Sequence, residues 1–228
     1  MQSTTNFRGP FQNPSHSDTI KYLQLIWKNE KLCKDLLPYE DEFLTQLINV
    51  IEQKEKEIKN KKHNFDQETL DFMELDLQRV KYFIKDYLRI RLAKIEKYLY
   101  YILKNNLASL LSETEAKFVV DLINMKAVYF NEGLKKVVAV ANNFRPFYDK
   151  YKNIQEKADS LNDAMIVHPP TNAYVIVESI TDENIIVNIK EIYQDYEKEY
   201  LILEKGDIAV VPYKLMKEFI INKKVKLI

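Results

Sequence analysis

The residues able to do covalent or metal chemistry in this 228-residue chain are few and far apart. Cys33 is the sole cysteine. It cannot form an internal disulfide, has no evident base beside it in sequence, and reads as a small apolar residue of a helix. His16, His63 and His168 stand alone, without a second histidine or cysteine at ligand spacing, which argues against zinc. Only three glycines occur, Gly9, Gly133 and Gly206, so no glycine-rich loop can wrap backbone amides around a phosphate. That excludes the usual nucleotide-binding enzymes. A serine nucleophile would want a strained GxSxG turn, which is absent. Carboxylates are abundant, but no pair is marked as desolvated, and they read as solvated helix faces and ion pairs. The expectation is a protein with no catalytic residue, no cofactor and no metal.

The remaining candidate chemistry is electrostatic. Arg79, Lys81, Lys85, Arg89, Arg91, Lys94 and Lys97 interleave with Tyr82, Phe83 and Tyr87, a mixture that could bind DNA phosphates and stack bases. Asp86, three residues before Arg89, and Glu96 neutralise part of that charge on the helix face, which fits a structural interface better. Binding through phosphates weakens steeply with salt, whereas an assembly held by apolar faces does not. Arg91 is the odd member. Met73, Leu77, Val80, Ile84, Tyr87, Arg91, Ile95, Leu99 and Ile102 step by three and four, so a guanidinium stands where a hydrophobe belongs. Burying it is costly unless a carboxylate or carbonyls receive it, which predicts pairing across a helix-helix or subunit contact.

The elements that carry these residues follow from periodicity. Residues 1–17 hold Gly, two Pro and several Ser, Thr and Asn without an apolar period, and read as a mobile tail. Asp18 or Ser17 caps a first helix bearing Ile20, Leu23 and Trp27, which Pro38 ends. Phe43, Leu47, Val50, Ile51 and Ile58 define a second helix, closing on Lys59, Lys61 and Lys62. Asp66 caps a third that should run about 40 residues, to Asn105. Ser112 and Glu115 form a capping box for a fourth, with Val119, Ile123, Phe130 and Leu134 on one side, Gly133 as a bend or end, and further helical character over 137–151. The fold class is therefore mainly α: an elongated antiparallel helical bundle over 18–152.

Residues 153–172 read as a linker, and the pattern then changes to short β-branched and aromatic runs. Strands are expected at 173–180, 185–189, 199–204, 207–211 and 225–228, with a short helix from Pro212 to Ile221, making a small β-rich domain over 173–228. A core this small is marginal without disulfide or metal, so it should lean on the first domain or a partner. The apolar ending VKLI points the same way. Fifteen tyrosines and eleven phenylalanines, with Tyr98, Tyr100 and Tyr101 crowding one helix end, imply contacts on more than one face. Lys plus Arg equals Asp plus Glu at 34 each, so no global field recruits nucleic acid or membrane. No secretory leader pattern or apolar run of about 18 residues appears, which predicts a soluble intracellular protein.

Residues 79–103, RVKYFIKDYLRIRLAKIEKYLYYIL, closely resemble the GINS family of eukaryotic replication proteins, and within it the Sld-five type. Upstream, Trp27, Asn29, Glu30, Lys31, Leu36 and Leu37 match the family's first helix; downstream, Leu111, Ser112 and Glu115 match its fourth. Tyr174 and Val175, the run Glu183, Asn184, Ile185 and Val187, LEKG ending at Gly206, Tyr213 and Lys214, and Val225, Leu227 and Ile228 follow in order. The resemblance runs from about Asp18 to Ile228, poorest over 137–163. Residues 1–17 contain neither Asp nor Glu, so the short acidic-apolar motif by which some relatives dock a replisome hub is not carried over.

The resemblance implies a helical A domain before a β-rich B domain, and a non-enzymatic subunit of the four-chain GINS complex. It implies assembly with three Psf-type subunits, and joining to the Mcm helicase ring and the Cdc-forty-five protein at nuclear origins and replication forks. DNA contact would be indirect or weak. The matching positions Trp27, Glu30, Arg79, Tyr87, Arg89, Arg91, Lys94 and Glu96 would be assembly or interface residues of the A domain. Tyr174, Lys205, Gly206, Tyr213, Leu227 and Ile228 would be those of the B domain. Two other classes stay open: a sequence-tolerant DNA-binding module and a generic helical adaptor.

Overall fold

The structure, a computed structural model, describes residues 16–60, 66–138, 166–189 and 200–228. Among the described residues, five helices precede the β region: α1 (His16–Leu32), α2 (Asp41–Asn60), α3 (Gln67–Lys97), α4 (Leu99–Lys104) and α5 (Glu113–Val138). A 3-10 turn at Leu107–Leu110 joins the last two. α1 begins at His16, ahead of both expected caps, Ser17 and Asp18, so Asp18 lies in its first turn, where a carboxylate still meets the positive helix end. Asp66 does occupy the N-cap of α3, yet its carboxylate accepts the Thr69 hydroxyl at 2.6 Å instead of a backbone N–H.

The third helix is shorter than its periodicity predicts. It stops after 31 residues at Tyr98, whose φ of −104° and ψ of 19° leave the helical well, and α4 resumes at Leu99. The i to i−4 bonds continue across the break, Tyr98 N–H to Lys94 O and Ile102 N–H to Tyr98 O. Apolar residues therefore keep their stride through the kink, and Ile95, Tyr98, Leu99 and Ile102 are all buried. At α5 the capping box forms as read: Ser112 N–H donates to Glu115 Oε2 at 2.9 Å and Glu115 N–H to Ser112 Oγ at 3.2 Å. α5 runs through Gly133; expectations for 1–15, 61–65 and 139–165 lie outside the described residues.

Two apolar clusters stabilise the bundle. Leu23 and Ile26 of α1 meet Phe43, Leu44, Leu47 and Ile51 of α2 and Ile84 and Tyr87 of α3. Leu36 joins Ile95, Tyr98, Leu99 and Ile102 with Val119 and Leu122 of α5. Each such side chain withdrawn from water contributes about 1.5–3 kcal/mol.

The C-terminal unit contains β1 (Tyr174–Ser179), β2 (Ile185–Asn188), β3 (Tyr200–Leu203), β4 (Ile208–Pro212), α6 (Tyr213–Ile221) and β5 (Val225–Leu227). β1 is central in an antiparallel sheet of order β4-β1-β5, while β2 and β3 pair separately. β1 alternates outward Tyr174 and Ile176 with buried Val175 and Val177, a period of two written by the β-branched run. Gly206 has φ of 89°, and Ser179 both accepts from Gly206 N–H and donates to Asp207 O, so the turn into β4 is a glycine bulge. After α6, Lys223 adopts φ of 57°; its N–H bonds Ile220 O and that of Lys224 bonds Phe219 O, a Schellman ending.

The sheet core is completed by the bundle. Cys33 and Leu37 join Val177, Tyr213, Met216, Val225 and Leu227 in one cluster. The Asn29 side chain then acts as a one-residue strand beside β5: its Oδ1 accepts Leu227 N–H at 2.9 Å, and its Nδ2 donates to Val225 O at 3.3 Å. Lys223 is held in its left-handed conformation across the same junction, with Nζ 2.8 Å from Glu40 Oε1 and over the Tyr22 ring.

Candidate functional site

The arginine misplaced in the apolar stripe is the centre of the molecule's polar interior. Arg91 is 0% exposed, and each of its five N–H groups has an acceptor. Nε donates to Glu115 Oε1 at 2.7 Å and Nη2 to Glu115 Oε2 at 3.0 Å, a bidentate fork onto α5. Nη1 reaches Glu30 Oε2 of α1 at 3.2 Å and Leu37 O at 2.7 Å, and Nη2 also donates to Leu110 O at 2.8 Å. The rings of Tyr39 and Tyr87 lie 5.2 and 5.7 Å from the guanidinium carbon. Burial opposes the charge, but the Glu115 hydrogen bonds and the Glu30 and Glu115 charges win, and hold the Arg91 pKa above its ordinary value.

One turn on, Lys94 extends the network. Its Nζ donates to Glu30 Oε1 at 2.9 Å, to Glu30 O, to Asp35 O at 2.9 Å and to Cys33 Sγ at 2.8 Å. Burial again works against the cation, but Glu30 and Cys33 together outweigh it, so the Lys94 pKa is raised. The Asp35 carboxylate accepts from the Tyr213 hydroxyl and from Lys217 Nζ, both on α6. Arg91, Lys94 and Lys217 thus face Glu30, Glu115 and Asp35, a neutral set that ties α1, α3, α5 and α6 together. Every group is committed to another, and what this arrangement does is fix geometry.

Cys33 shares that fate. Burial first, and then the Glu30 charge, push its thiol up to about 12. Unfolded, the thiol ionises near about 8.5; folded, it keeps its proton. The unfolded state therefore binds fewer protons above that pH, and this group alone should lower stability by up to about 1.4 kcal/mol per pH unit as pH rises toward 12. At pH 8, iodoacetamide should alkylate the native chain at least about a hundredfold more slowly than the denatured chain, read by mass spectrometry. Equal rates would contradict the placement.

The other residues singled out from sequence fall in three settings. Glu30, Tyr87, Arg91 and Lys94 converge on the network, and Tyr213 and Leu227 are buried where the sheet meets the bundle. Trp27 is half-buried, with Nε1 donating to Asp86 at 2.8 Å and its ring edge-on to Phe83. Arg79, Arg89, Glu96, Tyr174, Lys205, Gly206 and Ile228 are exposed and spread over both units. Arg79 meets Asp76 at 3.4 Å, Lys205 meets Asp182 at 2.7 Å, and Lys81 pairs with Glu55. With Arg91 and Lys94 turned inward, the basic run is not a continuous surface stripe. Sequence reasoning took Glu115 for a capping residue only and passed over Asp35 and Lys217. The WKNEKLCKDLL string held the signal for Asp35, an acid between Cys33 and the apolar pair Leu36 and Leu37.

Comparison with known proteins bears on the same residues. Residues 42–132, from α2 into α5, match the family described as "GINS complex protein helical bundle domain". A relative from Arabidopsis thaliana, "DNA replication complex GINS protein SLD5", is 26% identical over 92% of this chain and 90% of its own length. Its namesake from Schizosaccharomyces pombe is 26% identical over 85% of this chain and 84% of its own, and that from Homo sapiens 26% over 93% and 90%. Residues 42–132 thus match the GINS helical bundle domain, and most of the chain is similar to GINS proteins of the Sld5 type.

The similarity to these relatives extends past the helical match into the sheet, so it covers both units. The fold class read from periodicity, mainly α with a small antiparallel sheet behind, is the fold observed. Arg91 and Glu115 lie inside the matched helical bundle, and Glu30 and Asp35 just ahead of it. Among the described residues no group of three or more His, Cys, Asp or Glu is placed to hold a metal ion, and no helix is long and apolar enough to cross a membrane.

Proposed function

We propose that this chain is a non-enzymatic structural subunit of a four-chain GINS complex in DNA replication, built with three Psf-type subunits. In this reading the complex joins the Mcm ring and the Cdc-forty-five protein in the nucleus as part of the replicative helicase. The observation that carries it is the match along both units to proteins named for the DNA replication GINS complex. The domains would be a helical A domain over 18–152, a linker over 153–172 and a B domain over 173–228.

The physical chemistry of the surface supports an assembly role. On α5, Val119 and Leu122 face inward, while Val120, Met125, Val128 and Tyr129 stand out, Met125 62% exposed. Phe72 and Leu75 stand out from the first turns of α3, Phe72 69% exposed. A helix apolar on two sides has more to cover than the described residues cover. The interior ionic network holds these faces in fixed relation. Buried candidates such as Arg91 and Tyr87 would then support assembly by holding the surface in shape, and exposed ones such as Arg89 and Tyr174 by contact.

Affinity isolation of the full chain from dividing cells tests this. Three further chains in fixed ratio, retained at high salt, are expected. A solitary monomer, or a chain that brings only DNA and releases it steeply as salt rises, would overturn the reading.

A further inference from the structure

We infer that β4 is a docking edge, which takes an extended, alternately apolar segment of a partner chain as an added strand. The two edges of the three-stranded sheet are treated differently. That of β5 is closed by the Asn29 amide, which satisfies Leu227 N–H and Val225 O. That of β4 has no such cover among the described residues.

The hydrogen-bond phase identifies the groups left over. Tyr213 N–H donates to Ala173 O and Ser179 N–H to Asp207 O, so the odd-numbered residues of β4 bond β1. Ile208 and Val210, between them, direct N–H and C=O off the edge. Pro212 follows, with a carbonyl but no N–H, and ends the donor row. Up to four backbone hydrogen bonds are on offer. Only an extended chain presents partners at this spacing; a helix has its own backbone groups engaged.

The side chains state what that strand must carry. Ile208 is 64% and Val210 60% exposed, on the same sheet face as Tyr174 and Ile176, and Ile176 stands directly opposite Val210. Edges kept for solvent are usually blunted by lysine or an inward charge. Here the glycine bulge before Ile208 and the proline after Val210 confine pairing to the middle, and that middle is aliphatic. The fitting partner is a short strand with β-branched or aromatic side chains at alternate positions.

The inference rests on the proposed function only in having an assembly to examine, and residue-level amide exchange reads the edge whatever chains accompany it. Exchange at Ile208 and Val210 is compared in the full chain alone and in the assembly isolated from its own cells. Fast exchange alone, slowed at least about a hundredfold in the assembly, is expected. Protection in the isolated chain at every concentration would mean that the chain covers its own edge. Protection rising with its concentration would mean a second copy. No protection in the assembly would mean that nothing pairs there. Each of these three outcomes overturns the proposal. Val210→Pro removes an outward N–H without touching the β1–β4 ladder. It should abolish the added protection at Ile208 and weaken partner retention about tenfold at an unchanged melting midpoint. Ile208→Lys, which leaves the backbone intact, should reproduce the weakening; full retention with both variants would overturn the inference.

Discussion

Replacing Arg91 with alanine is expected to destabilise the chain by about 3–5 kcal/mol, because it strands Glu115 as a buried carboxylate without its cation and leaves Glu30 with Lys94 alone. The effect is larger than for an apolar cavity of that size, since Leu37 O also loses its donor and Leu110 O keeps only Tyr39 N–H. For a chain of this length that corresponds to a melting midpoint lower by roughly 6 to 20 °C. Arg91→Lys should recover less than half of it: a single ammonium cannot span the fork to Glu115 while also reaching Glu30. Arg91→Met combined with Glu115→Gln should be less destabilised than Arg91→Met alone, because the carboxylate left unpaired is removed with its partner while Glu30 keeps Lys94. The readout is thermal and urea unfolding of the purified chain, followed by the yield of its assembly. An alanine variant with an unchanged midpoint would show that the network contributes nothing to the fold.

Removing Leu227 and Ile228 should unfold the sheet while leaving most helical signal in place. Leu227 is 1% exposed and stands opposite Val177 in the β1–β5 ladder, so its loss opens a cavity costing about 2–5 kcal/mol. Two bonds go with it, Leu227 N–H to Asn29 Oδ1 and Ile228 N–H to Ile176 O. β5 is only three residues long, so what remains cannot hold the edge of β1. A unit of this size, without a disulfide, has little stability to spare. Limited proteolysis should therefore cut the truncated chain within 173–226 at least about tenfold faster than the full chain, with the α1 to α5 fragments resisting as before. Deleting Ile228 alone, which is exposed, should have a much smaller effect. Equal digestion of full and truncated chains would show that the sheet does not depend on its last strand. Assembly yield should fall with the truncation, as with Arg91→Ala, if the B domain is a contact surface.

Much of the architecture is legible in the amino-acid order because its causes are local. A three-and-four stride fixes which side of α3 turns inward, and hence that Arg91 is buried; alternation of two does the same for β1; Ser112 with Glu115 announces the start of α5. Absence of glycine-rich loops and ligand spacings is likewise a local matter. What Arg91 binds is not: Glu115 is 24 residues away, Glu30 is 61 and the Leu37 carbonyl 54, and any of 34 acidic residues could have served by pattern alone. The break at Tyr98 is a further case, since the stride runs on unbroken through residues that pack with Leu36, Val119 and Leu122, and the pattern does not mark where the helix ends. The junction between the units, Asn29 with β5 and Asp35 with Tyr213, spans 198 and 178 residues. Periodicity reports whether a side chain meets water or protein; a pairing is chosen by which buried charge and which unpaired backbone group arrive at the same place, and that is settled when distant segments close on one another.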